Sequence, residues 1–193
     1  MNTSAAMTVK ERSRHHGQAF HYNAMPSGRY RLDFHGYLPL GWVGSLTQGL
    51  YDRKISIISG SAKRANMSQW NGEFIVEPLH SSAVTGIDFA KLVRDNATGS
   101  VRTQDLSINA YSVKPCFKAN GSIYIEMEGH DQIGFLAGIM KKFSSCGLFP
   151  WDFSVSTEDG RICDKFHLMG PGGLIVKKEI VRLLEVKLNE LIR

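Results

Sequence analysis

Cysteine is scarce in this chain: Cys116, Cys146 and Cys163 are the only three in 193 residues. They are too few and too far apart for a disulfide framework, and no CxxC or Cys/His spacing suggests a zinc site. They are expected as reduced thiols, mostly in buried or half-buried positions. Long apolar runs are also missing. No stretch approaches the ~18 to 20 apolar residues that cross a bilayer, and the N-terminus lacks the apolar core of a secretory signal. The expected location is therefore the cytoplasm, with no membrane partner. Nor does one sign of charge dominate. The net charge of +5 divides into +2 over residues 1–28, +4 over 29–121 and −1 over 122–193. No basic stripe is interleaved with stacking aromatics, so nucleic acid is not an expected partner. Ser-His-Asp order, a phosphate-binding P-loop and metal motifs are absent too. The sequence predicts no catalytic residues, no metal, no cofactor and no enzyme.

What is present is the composition of a globular protein, 42% hydrophobic and 21% charged with 10% aromatics, and a regular succession of periodic segments. The first 28 residues are polar, with little periodicity, and read as a largely disordered tail in which Ala19, Phe20 and Tyr22 could lie on the body as an extended edge. Tyr30, Leu32 and Phe34 alternate with polar neighbours as a strand. Val43, Leu46 and Leu50 then mark a helix over 42–53. Residues 55–64 and 70–76 form a strand pair. Thr85 stands as the N-cap of a helix carrying Phe89, Leu92 and Val93, and Leu106, Ile108 and Ala110 alternate as a closing strand. The order then repeats. A strand at Ile123 and Ile125 leads through a glycine loop to a helix over 135–145. An Asp159-Gly160 hairpin joins strands over 149–157 and 161–169, and a last amphipathic helix runs through Leu184 and Leu188.

This internal repeat predicts an α+β protein of two ferredoxin-like βαββαβ sandwiches in tandem, over residues 29–115 and 116–193, the second lacking an obvious last strand. The missing strand leaves an edge for the tail or another chain to cover.

Residues 124–139 (YIEMEGHDQIGFLAGI) place an Asp, two further residues and a Gly before an apolar helix, and residues 153–166 (FSVSTEDGRICDKF) form a hairpin. Both resemble the ACT-domain family, and Pro39, Leu40, Gly41 and Trp42 match its loop more loosely in the first copy. The resemblance implies a regulatory, allosteric module that binds an amino acid or similar small molecule at the junction between domains or chains, with a homodimer and a regulated partner protein. The alternative is a protein-interaction module that works without ligand.

The physical logic centres on two glycine loops. A helix N-terminus behind a glycine exposes free amides and the positive end of the helix dipole, which suits a carboxylate. The candidate ligand-binding residues are therefore Leu40, Gly41 and Trp42 in the first copy, and His130, Asp131, Gln132, Ile133, Gly134 and Phe135 in the second; the resemblance to the ACT-domain family adds Ser56, near the start of the second strand, where that family often places a ligand-contacting amide. Each has a plainer reading beside it. Asp131 can cap its helix, Gly41 and Gly134 can serve tight turns, His130 can sit in solvent, and the three tryptophans can be core anchors. The first strand of the hairpin offers Ser56 in one copy and Phe149-Pro150 in the other, so the two sites are not expected to be equivalent.

Overall fold

A computed structural model describes residues 13–15, 18–66, 69–79, 84–94, 106–116 and 121–193. The strands are β1 (Ser13–His15), β2 (Gln18–Ala24), β3 (Tyr30–Tyr37), β4 (Ile55–Arg64), β5 (Gln69–Pro78), β6 (Ala110–Cys116), β7 (Ser122–His130), β8 (Phe149–Glu158) and β9 (Arg161–Met169). The helices are α1 (Trp42–Asp52), α2 (Phe89–Leu92), α3 (Phe135–Ser145) and α4 (Lys178–Asn189).

All nine strands join one antiparallel sheet in the order β1-β2-β3-β5-β4-β8-β9-β7-β6. This overturns the expectation of two βαββαβ sandwiches in tandem. Two pairings carry the correction. At the centre, β4 pairs with β8 from Ser59↔Ser156 to Lys63↔Asp152, which fuses the halves into one sheet. At the far side, β6 pairs with β7 over its whole length, and the closing strand expected for the first copy at Leu106, Ile108 and Ala110 meets β6 only at Ala110. The repeating unit is thus ββαββα: β2, β3, α1, β4, β5, α2, and then β6, β7, α3, β8, β9, α4. No strand is missing from the second half, because the place beside β7 is filled from the N-terminal side. The division at residues 115 and 116 falls inside β6.

The tail reading also changes. Residues 18–24 form β2 on β3, the extended edge that Ala19, Phe20 and Tyr22 allowed, with Phe20 and Tyr22 buried against Phe34 and Phe89, while residues 1–12 and 16–17 of the expected tail lie outside the described residues. Two aromatics at period two supply enough apolar surface, at roughly 1.5–3 kcal/mol each, to hold a short edge strand. In the first copy's second helix, the cap is Asp88, whose carboxylate accepts from the Lys91 amide, rather than Thr85. That helix is a single turn.

The inward residues of the strands and the apolar stripes of the helices form one core. Leu32, Phe34, Phe74 and Val76 from the first half join Ile125, Met127, Phe166 and Leu168 from the second. The opposite sheet face is polar, with ion pairs such as Arg31–Glu73 and Lys165–Glu126. Helices α1 and α3 pack side by side over the central strands, so the first turn of each lies beside the last turn of the other. Among the described residues no helix is long and apolar enough to cross a membrane.

Candidate functional site

The repeat offset is 93 positions at the helices: Gly41 precedes α1 as Gly134 precedes α3. Ser61 and Ser154, also 93 apart, are direct partners in the β4–β8 ladder, so a local two-fold axis passes between them. Both glycines are left-handed N-caps, with φ 81 and ψ 2 at Gly41 and φ 81 and ψ 4 at Gly134. A side chain strains that conformation, and glycine removes the obstacle. Neither helix has a side-chain cap. At α1, the Trp42 amide donates to Pro39 O and the Ser45 amide to Gly41 O, whereas the Val43 and Gly44 amides find no acceptor among the described residues. Free first-turn amides and the helix dipole favour an anion there.

The axis generates two cavities, and they differ. The first, of about 360 Å³, lies between the start of α1 and the region from the end of α3 into β8. The second, of about 40 Å³, lies between the end of α1 and the start of α3. One substitution accounts for much of the difference. Tyr51, in the last turn of α1, lies so close over Gly134 that an added Cβ would sit 2.6 Å from its Cδ2. The position 93 residues on is Ser144, a short side chain on the rim of the first cavity, with its hydroxyl donating to Lys141 O. Over Gly41 the nearest atom to an added Cβ is Phe149 Cε1 at 3.9 Å, ordinary contact.

The open cavity has apolar walls that include Leu38, Met140, Phe149, Trp70 and Trp151. Its cation is Arg64, at the end of β4. The guanidinium carbon lies 4.8 Å from the centre of the Trp151 ring and 6.0 Å from that of Trp70, within cation–π range. Burial pushes the Arg64 pKa below its usual value, and the neighbouring Tyr37 opposes this; a guanidinium nevertheless stays charged at neutral pH. Arg64 Nε is buried and has no hydrogen-bond partner among the described residues, and the same holds for Trp42 Nε1 on a side chain only 1% exposed. Both nitrogens are closed to solvent, a costly state for a donor without an acceptor. Gln48 lies in the same wall with its amide donating to Asp52 at 2.8 Å.

The closed cavity is acidic instead. Asp164, on the inward face of β9 and 3% exposed, accepts from the Ser156 amide at 3.3 Å. Burial pushes its carboxyl up to about 7, the Ser156 amide opposing this and the nearby Asp131 adding to it. Burial also raises Asp131, opposed by a hydrogen bond from the Gln132 amide.

The sequence-predicted residues divide between these places. Leu40, Gly41 and Trp42 line the open cavity. Ser56, Asp131, Gln132, Gly134 and Phe135 line the closed one, where Gly134 is covered by Tyr51. Asp131 does not cap α3, and the Gln132 side chain is engaged with Ser107 through both its amide atoms. His130 and Ile133 are exposed and belong to neither cavity. Sequence reasoning missed Arg64, Ser144 and Asp164. Alignment of the two helices at their glycines would have set Ser144 against Tyr51, and the inward alternation Ile162, Asp164, Phe166 contains an acidic residue where an apolar one is expected.

Comparison of the chain with protein-family models, with curated proteins and with solved structures gives no match.

Proposed function

We propose that this chain is a regulatory protein that binds a small molecule, an amino acid or related carboxylate, in the open cavity at the junction of its two halves. The observation that carries the reading is the meeting in one cavity of the uncapped α1 N-terminus behind Gly41 and the partly buried Arg64 held against Trp70 and Trp151. Such a site is concave and apolar with few convergent polar groups, the usual form of a small-molecule pocket. An occupant would touch α1, α3 and β8 together, so binding would favour one packing of the halves over another, which is all that regulation requires. Of the two glycine loops that resemble ACT-domain motifs, the looser match, at Gly41, meets this cavity, and the fuller one, at Gly134, lies at the closed cavity. A regulated protein partner and pairing of two chains belong to the same proposal.

The test is thermal unfolding and calorimetry against amino acids and small carboxylates, with Ser144→Tyr beside the native chain. A saturable rise in melting temperature that Ser144→Tyr abolishes supports the reading. No response across the panel contradicts it. The alternative, a docking module that needs no ligand, draws on the exposed Leu174, Ile175 and Val186, which are 66%, 70% and 58% accessible. It predicts association that is unchanged by every compound in the panel and by Ser144→Tyr.

A further inference from the structure

The two cavities are built alike and charged oppositely. The closed one carries two carboxylates, Asp131 and Asp164. The open one, among its described lining residues, carries none: its charged groups are Arg64 and, at the exposed rim, Lys141. To these the first turn of α1 adds the Val43 and Gly44 amides, which have no acceptor among the described residues. The charged groups of this cavity are thus all cations, and its acceptors, Gln48 Oε1 and the carbonyl end of α3, are neutral.

An α-amino acid brings a carboxylate and an ammonium on the same carbon. The carboxylate would be met by Arg64 or the helix amides. The ammonium would arrive with it, near two cations and the positive end of a helix, with no anion to receive it. Burying an ammonium without a counter-charge costs several kcal/mol, and like charges close by add to that. A simple acid avoids both costs and still fills the apolar walls.

We infer that the open cavity selects an amphipathic acid with a carboxylate and no α-ammonium group, an arylalkanoic or branched alkanoic acid rather than an amino acid. The inference rests on the proposed function of this cavity and narrows its ligand class. The guanidinium held by Trp70 and Trp151 receives the carboxylate, and the hydrocarbon part lies among Leu38, Met140 and Phe149.

Matched pairs that differ only in the α-ammonium provide the test: 3-phenylpropionate against phenylalanine, 4-methylpentanoate against leucine, and indole-3-propionate against tryptophan. Each is titrated by calorimetry into the full chain, into Arg64→Met and into Ser144→Tyr. At least one acid is expected to bind about tenfold or more tightly than its amino-acid twin, and to lose about tenfold or more in Arg64→Met. Ser144→Tyr, a change at an exposed position, should abolish binding while the melting temperature holds. Amino acids that bind as tightly as their acids, or more tightly, overturn the inference and leave the proposed function standing. No heat from any member of any pair, with Ser144→Tyr indistinguishable from the native chain, overturns both.

Discussion

Asp164 is the residue whose chemistry departs furthest from its sequence setting. It occupies an inward position of β9 between Ile162 and Phe166, and its carboxyl is pushed up to about 7, first by burial. A carboxyl that holds its proton more tightly folded than unfolded stabilises the fold at low pH. That contribution is fully present below the unfolded value near 4 and is lost as pH rises toward 7, a change on the order of 4 kcal/mol across the window. Urea midpoints are therefore expected to fall between pH 5 and pH 8, and Asp164→Asn should flatten the profile. An unchanged slope in Asp164→Asn would mean that the proton is held elsewhere. Tyr51 and Ser144 form a second residue-scale contrast. Tyr51→Ser should open the acidic cavity, with a loss of packing of about 1–3 kcal/mol, whereas Ser144→Tyr should fill the open one at little cost. Denaturant titration of the two variants reads the difference directly.

At the scale of elements, the two helices were legible because their apolar stripes and preceding glycines are unambiguous. The short α2 was less so: Phe89, Leu92 and Val93 have helical spacing, but the helix runs for only four residues, from the cap at Asp88. Six of the nine strands were found, whereas β1 and β2 lay in the expected tail and β6 begins where the expected closing strand ended, and the grouping was missed. Period two marks a strand and its faces but contains nothing about which strand lies beside it, so ββαββα and βαββαβ look the same in the sequence apart from where the count begins. Residues 106–110 show the difficulty. Leu106 and Ile108 are buried as their alternation suggests, but they precede β6, and among the described residues Ile108 forms an isolated bridge with Ile192 beyond α4. The candidate site was half legible for the same reason. The helix-capping glycines are a local signal, while Arg64 meets Trp151 only through the β4–β8 pairing. The caps themselves can be tested. Gly41→Ala should cost about 1–2 kcal/mol from left-handed strain alone. Gly134→Ala bears the same strain plus a contact of 2.6 Å with Tyr51, so its melting temperature should fall further. Gly134→Ala combined with Tyr51→Ser should recover the difference. Equal losses in the two single variants would contradict the placement of Tyr51.

The whole molecule behaves as one body if the central ladder is as extensive as its register. Ser61 pairs with Ser154 at the middle of that ladder, and the aromatic chain Phe34, Phe74, Phe153, Phe166 runs through the core from one half to the other. Calorimetric and van't Hoff enthalpies should agree in a single transition. Ser61→Pro, which removes a ladder donor in a central strand, should lower that transition as a whole by ~3 kcal/mol or more, without splitting it. Two resolved transitions in the native chain would restore the picture of separate domains. The account's central claim concerns the junction between those halves, where an anion is received by the start of α1 and by Arg64. Its most direct measurement is the amide and indole nitrogen–proton spectrum of the labelled chain, with the Arg64 Nε resonance, titrated with 3-phenylpropionate. The account predicts the largest shifts at Val43, Gly44, the Trp42 indole and Arg64. Shifts centred on Gly134 to Ala137, or none at all at saturating acid, would contradict it.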